Sequence, residues 1–283
     1  MKTVKLIALD LDGTLIPESQ RVSLKDAHAV RRAQAAGIPV VIATGRLYPS
    51  ARVWLSALDI HTPAVCCNGA DIREGARSVY SSTIDPAQLK EAYRALCGFR
   101  AKKYVYCVDN IYCSKEDFDA VLFHKWGKKE LARGLVGYRD GPDEILGAAG
   151  SSAVKLVMRT PDEKEHAKIE EIAGAMEYFD VVKAEATHIE FTRRGTNKGA
   201  ALKRIAAGMG IAMRDVLAVG DSMNDYEMLR AAGTGVAMGN AMREIKNIAD
   251  DITLPVWESG VAHAISRHVF GEDAAFEAVL GTE

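Results

Sequence analysis

Val4 to Leu15 read VKLIALDLDGTL, and this stretch decides the fold of the chain. It begins with a nearly continuous apolar run, which is typical of a strand buried on both faces of a parallel sheet. Two carboxylates, Asp10 and Asp12, follow at the carboxyl end of that strand. Because side chains two residues apart on a strand point the same way, both acids are expected to face one spot. Taken alone, the stretch is also compatible with a charged turn after a hydrophobic strand.

Two like charges buried side by side require a cation or a proton between them. A hard divalent cation with oxygen ligands is the simplest solution, and Mg²⁺ fits a site that combines few carboxylates with a phosphate. Gly13 follows where the chain must turn, and Thr14 adds a hydroxyl. The stretch therefore predicts a magnesium site at the end of the first strand.

Composition and charge limit the class of protein. With 283 residues, 48% hydrophobic and 26% charged, the chain suits a soluble globular protein of one large or two medium domains. The net charge of -2 provides no electrostatic footprint for nucleic acid. The five cysteines lack paired C-x-x-C spacing, which indicates reduced thiols rather than disulfides or a zinc site. Without a signal-peptide pattern or a membrane-length apolar stretch, the sequence predicts a cytoplasmic protein with no nucleic acid and no membrane partner.

Strand and helix patterns alternate through the first part of the chain. A helix is predicted over 24–36 with Ser23 as its cap, and a second buried strand over 38–43. Another helix over 49–58 leads to a third strand over 64–67. Strand, helix, strand, helix, strand is the pattern of an open parallel sheet.

The pattern then changes to mixed hairpins and helices. One helix is predicted over 115–126, and Thr160 is predicted to cap another that starts at Pro161. Paired strands follow over 179–183 and 188–192. This mixture predicts an α+β module inserted into an α/β protein.

The predicted fold class is α/β, with a Rossmann-like parallel-sheet core and an inserted α+β cap domain. The core is expected to comprise residues 1–82 and 189–283, and the cap residues 83–188. Two chain crossings connect the domains, so hinge motion between core and cap is expected.

Four clusters of polar residues follow strand ends or open a helix. They are Asp10 with Asp12; Thr44, Gly45 and Arg46; Lys198; and Asp221 with Asn224 and Asp225. Because the carboxyl ends of parallel strands lie along one edge of a sheet, these clusters are expected to converge. Acids for a metal, a cation for a phosphate and a carboxylate able to attack phosphorus together suit phosphoryl transfer.

At these residues the sequence resembles the haloacid dehalogenase superfamily of aspartate-dependent phosphohydrolases. The superfamily's first motif, D-x-D-G-T, matches residues 10–14, and its second matches Thr44 in ATGR. The third matches Lys198 in TNKG, and the fourth matches GDSMND at residues 220–225. The large insertion, with ATGR, NGA and GDxxND, resembles the Cof-type subfamily, which has a class IIB α/β cap. VAMGNA and ESGVAHAI also resemble this subfamily, although Glu258 stands where Asp is commoner.

The resemblance implies that Asp10 is the nucleophile, which forms an aspartyl-phosphate intermediate and binds Mg²⁺ through its second oxygen. Asp12 is then the general acid for the leaving alcohol and the general base for the attacking water. The metal set is completed by the backbone carbonyl of Asp12, by Asp221 directly, and by Asp225 through water or from outside the ligand shell.

The same resemblance implies contacts to the phosphoryl group from Thr44, Gly45 and Lys198. Asn224 is assigned to the phosphoryl group or to a metal-bound water, and Arg46 to the phosphate on the substrate side or to a structural role. Lys198 would neutralise charge on the phosphoryl group and on Asp10 as a point charge. Two further residues stay open between roles. Asn68 is interpreted as a turn residue or a contact, and Glu190 as a strand residue first and a substrate contact second.

The predicted activity is that of a Mg²⁺-dependent phosphatase acting on a small phosphomonoester, such as a sugar phosphate or a phosphorylated cofactor. The expected partner is thus a small phosphorylated metabolite, selected by the cap. A phosphomutase of the same superfamily and a non-catalytic sugar-phosphate-binding protein are the alternatives. Retention of all four motifs argues against the binding protein, which needs neither Asp10 nor Asp12.

Overall fold

The structure of the protein is a computed structural model that describes residues 3–17, 19, 21–118, 134–185 and 187–272. Within these residues the core is a five-stranded parallel sheet, with the first strand of the chain next to one edge strand. In order across the sheet, the strands are β14 (Asp251–Ile252), β13 (Thr234–Ala237), β12 (Val216–Gly220), β1 (Leu6–Leu9) and β2 (Val40–Ile42). All of β1 and β2 is buried, so the apolar run at the start of the chain forms a strand covered on both faces.

Helices connect the strands of the core. They are α1 (Leu24–Ala35), α2 (Tyr48–Ala57), α6 (Lys198–Gly208), α7 (Tyr226–Ala231), α8 (Arg243–Ile248) and α9 (Gly260–Ile265). Ser23 caps α1 as predicted, since its hydroxyl accepts a bond from the Asp26 amide at 3.0 Å. The alternation of strands and helices thus continues on both sides of the insertion, which confirms the predicted α/β core.

A small antiparallel sheet follows the second core helix and was not predicted. It comprises β3 (Ala64–Cys66), β4 (Asp71–Glu74) and β5 (Arg77–Ser81). The predicted third strand is therefore present, but it pairs fully with β4 and meets the core through one parallel bridge, Ala43 to Val65. Cys67 and Asn68 adopt left-handed φ angles of 52° and 57°, which turn the chain back into this hairpin.

The insertion forms a six-stranded sheet in the described part of the chain. Its strands are β6 (Lys102–Cys107), β7 (Ile111–Cys113), β8 (Val136–Tyr138), β9 (Ala153–Arg159), β10 (Phe179–Glu185) and β11 (His188–Arg193). Its helices are α3 (Pro86–Leu96), α4 (Pro142–Ala149) and α5 (Glu163–Gly174). All neighbours pair antiparallel except β7 with β8, so the predicted α+β character of the cap is confirmed.

The two faces of the cap sheet have different partners. Val105, Leu156 and Phe191 pack in an apolar cluster with residues of the cap helices. Tyr104 and Val157, which are register partners on β6 and β9, instead belong to the apolar cluster that contains the core strands. The second face therefore lies against the core.

Two local predictions in the cap have different outcomes. The helix expected to be capped by Thr160 begins later, because Asp162 accepts bonds from the amides of Lys164 and Glu165. The Thr160 hydroxyl instead donates to the Glu165 carboxylate at 2.6 Å. The helix predicted over 115–126 falls largely on residues 119–133, outside the described residues.

The domain limits stay a prediction. The cap sheet continues through β11 to Arg193, so its hydrogen bonding runs past the boundary expected at residue 188. On the entering side, the first cap helix begins at Pro86, close to the boundary expected between 82 and 83.

Asp26 is buried between α1 and α9. Its carboxylate accepts bonds from the Ser23 hydroxyl at 2.7 Å and from the Ala262 amide at 2.8 Å. Burial raises the pKa of Asp26 from 3.8 to about 6, although both hydrogen bonds oppose the rise. The folded state therefore holds this proton more tightly than the unfolded state. The resulting stabilisation is complete below about pH 4 and is lost as the pH rises through 6.

We expect Asp26→Asn to remove this pH dependence. The free energy of unfolding of the wild type, relative to the variant, should fall by about 2 kcal/mol between pH 4 and 7. Urea unfolding of both proteins across this range measures the difference, and titration of every other group cancels in the comparison. A difference that stays constant with pH would contradict the raised pKa of Asp26.

Candidate active site

The parallel register brings distant residues to one edge of the core sheet. Leu9 pairs with Ile42 on one side and with Val219 on the other, so the chain leaves all three strands at the same level. Asp10 follows the first of these strands and its amide donates to the Val219 carbonyl at 3.1 Å. Thr44 and Asp221 follow the neighbouring strands, which brings the first, second and fourth motifs together.

Lys198 lies at the centre of this site and is fully buried. Asn197 caps α6 and so places Lys198 in its first turn, pointing at the strand ends. Its ammonium donates to Asp10 Oδ1 at 2.6 Å, to Asp225 Oδ1 at 2.7 Å and to Asn224 Oδ1 at 3.3 Å. Burial alone would lower the pKa of Lys198, but the two carboxylates raise it above its ordinary value. Lys198 is therefore a permanent cation next to Asp10.

Asp225 supports the loop that carries Asp221. Its Oδ1 accepts from Lys198, and its Oδ2 accepts from the amides of Asp221 and Ser222 at 2.9 and 3.1 Å. Both oxygens of this buried carboxylate thus have partners inside the protein. This arrangement suits a residue that acts on the metal from outside the ligand shell, and the metal role of Asp225 stays a prediction.

The acids of the site can hold a cation. Asp10, Asp221 and Asp225 each offer an oxygen, and these oxygens lie within 4.8 Å of one another. Burial, followed by the Asp225 charge, raises the pKa of Asp10 well above its ordinary value, while Lys198 opposes the rise. The same two causes raise the pKa of Asp221 to about 7. One ammonium therefore does not compensate the buried acids.

The net charge of the site also indicates that it can hold a further cation. The site combines four carboxylates with two cations: Asp10, Asp12, Asp221, Asp225, Arg46 and Lys198. With all of them ionised, two negative charges remain, which is the charge of one divalent cation. The donors are all oxygens, the ligands that Mg²⁺ prefers. The residues present thus fit the predicted metal.

Gly13 lets the first motif approach the fourth. Its φ is 83°, and a Cβ atom there would lie 2.4 Å from Asp221 Oδ2. The next residue, Thr14, donates its hydroxyl to Asp221 Oδ1 at 2.9 Å. A residue with a side chain at position 13 would push Asp221 away, so the glycine serves close contact as well as the turn.

Arg46 contacts Asp12. Its Nε donates to Asp12 Oδ2 at 2.8 Å and its Nη2 donates to Asp12 Oδ1, a bidentate pair. Arg46 is buried, whereas a third of the Asp12 side chain is exposed. The predicted contact between Arg46 and a phosphate stays a prediction, and in this structure its guanidinium orients Asp12.

The loop after β2 is tightly packed. Thr44 is buried and its Oγ1 accepts a bond from the Arg46 amide at 3.1 Å, which leaves the hydroxyl proton for another acceptor. A Cβ atom at Gly45 would lie 2.8 Å from Asn68 Oδ1. The predicted phosphate contacts of Thr44 and Gly45 thus come from a loop with little room to move.

The cap contributes residues that the motifs did not identify. Lys155 on β9 is buried, and its ammonium donates to Glu190 Oε1 at 2.9 Å and to the Gly45 carbonyl at 3.4 Å. Glu190 on β11 also accepts a bond from the Asn68 amide group. The available signal was one lysine inside the apolar part of the strand AVKLVMR, since buried lysines usually have a specific partner.

Comparison with known proteins identifies the family. The family model described as haloacid dehalogenase-like hydrolase matches residues 7–265. "Phosphatase YwpJ" of Bacillus subtilis is 33% identical over 93% of this chain and 99% of its own length. The 5-amino-6-(5-phospho-D-ribitylamino)uracil phosphatase YcsE of the same organism is 30% identical over 94% and 95%. The chain therefore belongs to the haloacid dehalogenase-like hydrolases.

A solved structure supports the fold. The subclass IIB sugar phosphatase BT4131 superimposes with a TM-score of 0.77 at 24% identity, covering 95% of this chain and 99% of that one. The predicted superfamily, its cap type and the fold class are thus confirmed. The predicted enzyme class, a phosphoric monoester hydrolase, is confirmed by the curated phosphatases among the relatives. Among the described helices, none has the length and apolar composition needed to cross a bilayer.

Proposed function

We propose that this phosphatase hydrolyses a small phosphomonoester through an aspartyl-phosphate on Asp10, with Mg²⁺ as its cofactor. The observation that carries the proposal is the buried contact between Lys198 and Asp10 inside a cluster of acids at the strand ends. Lys198 holds Asp10 Oδ1 at 2.6 Å, so the carboxylate has one fixed orientation. A carboxylate is ionised near neutral pH when a cation compensates it, and it then needs no base to attack phosphorus.

In the first step, an oxygen of Asp10 bonds to phosphorus and the bond from phosphorus to the leaving oxygen breaks. Asp12 gives its proton to that leaving oxygen. In the second step, Asp12 takes a proton from water, the water oxygen bonds to phosphorus, and the bond from phosphorus to Asp10 breaks. The two bonds from Arg46 orient the ionised Asp12 that takes the proton from water, whereas the protonated Asp12 of the first step keeps only the bond to its unprotonated oxygen. Lys198, Thr44 and the Gly45 amide would hold the phosphoryl oxygens.

The residues that would hold Mg²⁺ are Asp10, Asp221 and the Asp12 carbonyl, with Asp225 behind them. When bound, the ion neutralises charge on the phosphoryl group and on the acids. Thr14 and Asp225 prepare the site by orienting Asp221 through its side chain and its amide.

The proposed substrate is a small phosphorylated metabolite, a sugar phosphate or a phosphorylated cofactor. YcsE acts on a phosphorylated ribityl compound, and its similarity along the whole chain supports a substrate of that size and polarity. The cap face over the site adds Lys155 and Glu190, which suits a polar leaving group rather than a hydrocarbon.

A panel of phosphomonoesters tests the proposal, with phosphate release measured with and without Mg²⁺. We expect Mg²⁺-dependent release that favours sugar or cofactor phosphates. Formation of an isomer without phosphate release would indicate the phosphomutase alternative. Binding without either reaction would indicate a sugar-phosphate-binding protein.

Asp221→Asn tests the metal site independently of activity. We expect Mg²⁺ at saturation to raise the melting temperature of the wild type by roughly 5 °C, because the ion binds only the folded site. The variant should lose this shift without losing stability in the absence of Mg²⁺, since it removes a half-buried acid whose pKa is raised. Asp59→Asn is the matched control, because Asp59 is exposed and its loss should leave the shift intact. An equal shift in both variants would contradict a metal at Asp221.

A further inference from the structure

A chain of hydrogen bonds joins the cap to the phosphate site through two amide side chains. Lys198 donates to Asn224 Oδ1 at 3.3 Å, and Asn224 Nδ2 donates to Asn68 Oδ1 at 3.1 Å. Asn68 Nδ2 then donates to Glu190 on the cap strand β11. The chain therefore runs from a cation that contacts Asp10 to a carboxylate that belongs to the cap.

The two ends of this chain determine how both amides are oriented. An ammonium group only donates hydrogen bonds, and an ionised carboxylate only accepts them. Between Lys198 and Glu190, each amide can therefore satisfy both neighbours in one orientation only. Glu190 fixes the orientation of Asn68, whose Oδ1 then holds Asn224 Nδ2, while the Ser222 hydroxyl donates to Asn224 Oδ1 at 2.8 Å beside Lys198. Hydrogen bonds aligned in one direction also polarise one another.

Asn68 is held rigidly in the core. It has a φ of 57°, a left-handed conformation that Asn tolerates better than most residues, and it is 5% exposed. Its backbone amide donates to the Thr44 carbonyl at 3.1 Å, and its Oδ1 leaves no room for a Cβ atom at Gly45. The Asn68 side chain is thus part of the packing of the predicted phosphate loop.

Glu190, in contrast, belongs to the cap sheet. It pairs in register with Val157 on the cap face that lies against the core. Lys155 holds its Oε1 at 2.9 Å, so Glu190 presents Oε2 to Asn68. Lys155 also reaches the Gly45 carbonyl at 3.4 Å, which gives a second polar contact between the cap and the same loop.

We infer that Asn68 is a positioning residue through which a docked cap aligns Asn224 and Lys198 with Asp10. The inference rests on the proposed function of this site. Asn68 bonds to Glu190 and Asn224 rather than to the Asp10 carboxylate, so it acts through other residues. Lifting the cap removes the acceptor that holds Asn68 Nδ2, so Asn68 keeps only its bond from Asn224, and the orientation of the chain is then set from the Lys198 end alone. Asp10 and Asp225 hold the Lys198 ammonium in either state, and its third bond, to Asn224 at 3.3 Å, is the one that cap closure strengthens.

An exchange of polarity between Asn68 and Glu190 tests the inference. Asn68→Asp keeps the oxygen that faces Asn224 but sets a second carboxylate against Glu190. Glu190→Gln keeps an acceptor for Lys155 but turns a donor toward Asn68. Each single change breaks the link, whereas the double variant restores it, because the new amide donates to the new carboxylate with the same total charge.

The reaction is measured with acetyl phosphate and Mg²⁺, because the acetyl group is too small for the cap to select it. We expect each single variant to lose about tenfold in kcat with little change in KM, which corresponds to one hydrogen bond. The double variant should return to within about threefold of the wild type. Melting temperatures confirm that all the variants are folded.

Asn68→Gly is a second test variant, because glycine accepts the same backbone conformation and has no side chain to bond Glu190 or Asn224. It should lower kcat as the single variants do, and adding Glu190→Gln to it should cause no further loss. If Asn68→Asp does not fold, the comparison of Asn68→Gly with the double variant Asn68→Gly, Glu190→Gln still tests the inference. Losses that multiply in either double variant would overturn the inference, as would single variants that affect only substrates with large leaving groups. Failure of the proposed function is distinct, since the wild type would then release no phosphate.

Discussion

Asp10→Asn is expected to abolish phosphate release, with kcat lower by roughly 10⁴-fold or more, because an amide cannot form the acyl phosphate. The amide oxygen still accepts the bond from Lys198, so the site keeps its geometry. The variant also removes a buried acid whose pKa burial raises well above its ordinary value, so it should fold at least as stably as the wild type. Phosphate release from the best substrate of the panel measures the effect.

The intermediate itself separates this mechanism from direct attack by water. We expect an acid quench during turnover to leave a phosphoryl group on the peptide that contains Asp10, detectable by mass spectrometry. Asp12→Asn is the matched variant, with p-nitrophenyl phosphate as substrate. The leaving group of that ester needs no proton, so attack by Asp10 proceeds while hydrolysis slows and the phosphorylated peptide accumulates. Undiminished hydrolysis by Asp10→Asn would rule out the covalent mechanism.

Lys198→Met is expected to damage both stability and catalysis. In the wild type, the Lys198 ammonium contacts Asp10 at 2.6 Å and Asp225 at 2.7 Å. The change leaves both carboxylates buried without this shared cation. Breaking a buried ion pair from one side costs about 3–5 kcal/mol of the free energy of unfolding. Loss of a preorganised charge at the phosphoryl group should lower kcat by roughly 10²-fold or more. Urea unfolding at neutral pH without Mg²⁺ and phosphate release with Mg²⁺ measure the two effects.

Lys203→Met is the control on the same helix. Lys203 is exposed, so the same substitution there should change the unfolding free energy by less than about 0.5 kcal/mol and leave kcat unaltered. If Lys198→Met were equally neutral, the buried ion pairs could not be what organises the site.

The sequence predicted features correctly where they depend on a single strand or helix. The apolar run before Asp10 predicted a strand covered on both faces, and β1 is fully buried. Ser23 predicted the start of α1, where its hydroxyl caps the helix. Such features depend on residues a few positions apart, so periodicity and capping chemistry suffice to predict them.

The predictions from the sequence were incomplete where the backbone takes an uncommon conformation or where two residues compete for one role. The left-handed turn at Cys67 and Asn68 converts a core strand into the start of a hairpin, and an Asn-Gly pair alone does not specify that outcome. The choice between Thr160 and Asp162 has a different cause, since two polar residues two positions apart can each cap the helix, and the contact of Thr160 with Glu165 leaves Asp162 as the cap.

The sequence by itself determined the family, the α/β core with its inserted cap, and the convergence of three strand ends, because parallel strands place their carboxyl ends at one edge. Only the tertiary structure decided which partner each charge takes. Arg46 binds Asp12, and the oxygens of Asp225 accept hydrogen bonds from Lys198 and two backbone amides. Glu190 of the cap accepts a hydrogen bond from Asn68 of the core. These contacts join residues far apart in the chain, and they form only when a polar group buried by the fold must find a partner in whatever element packs against it.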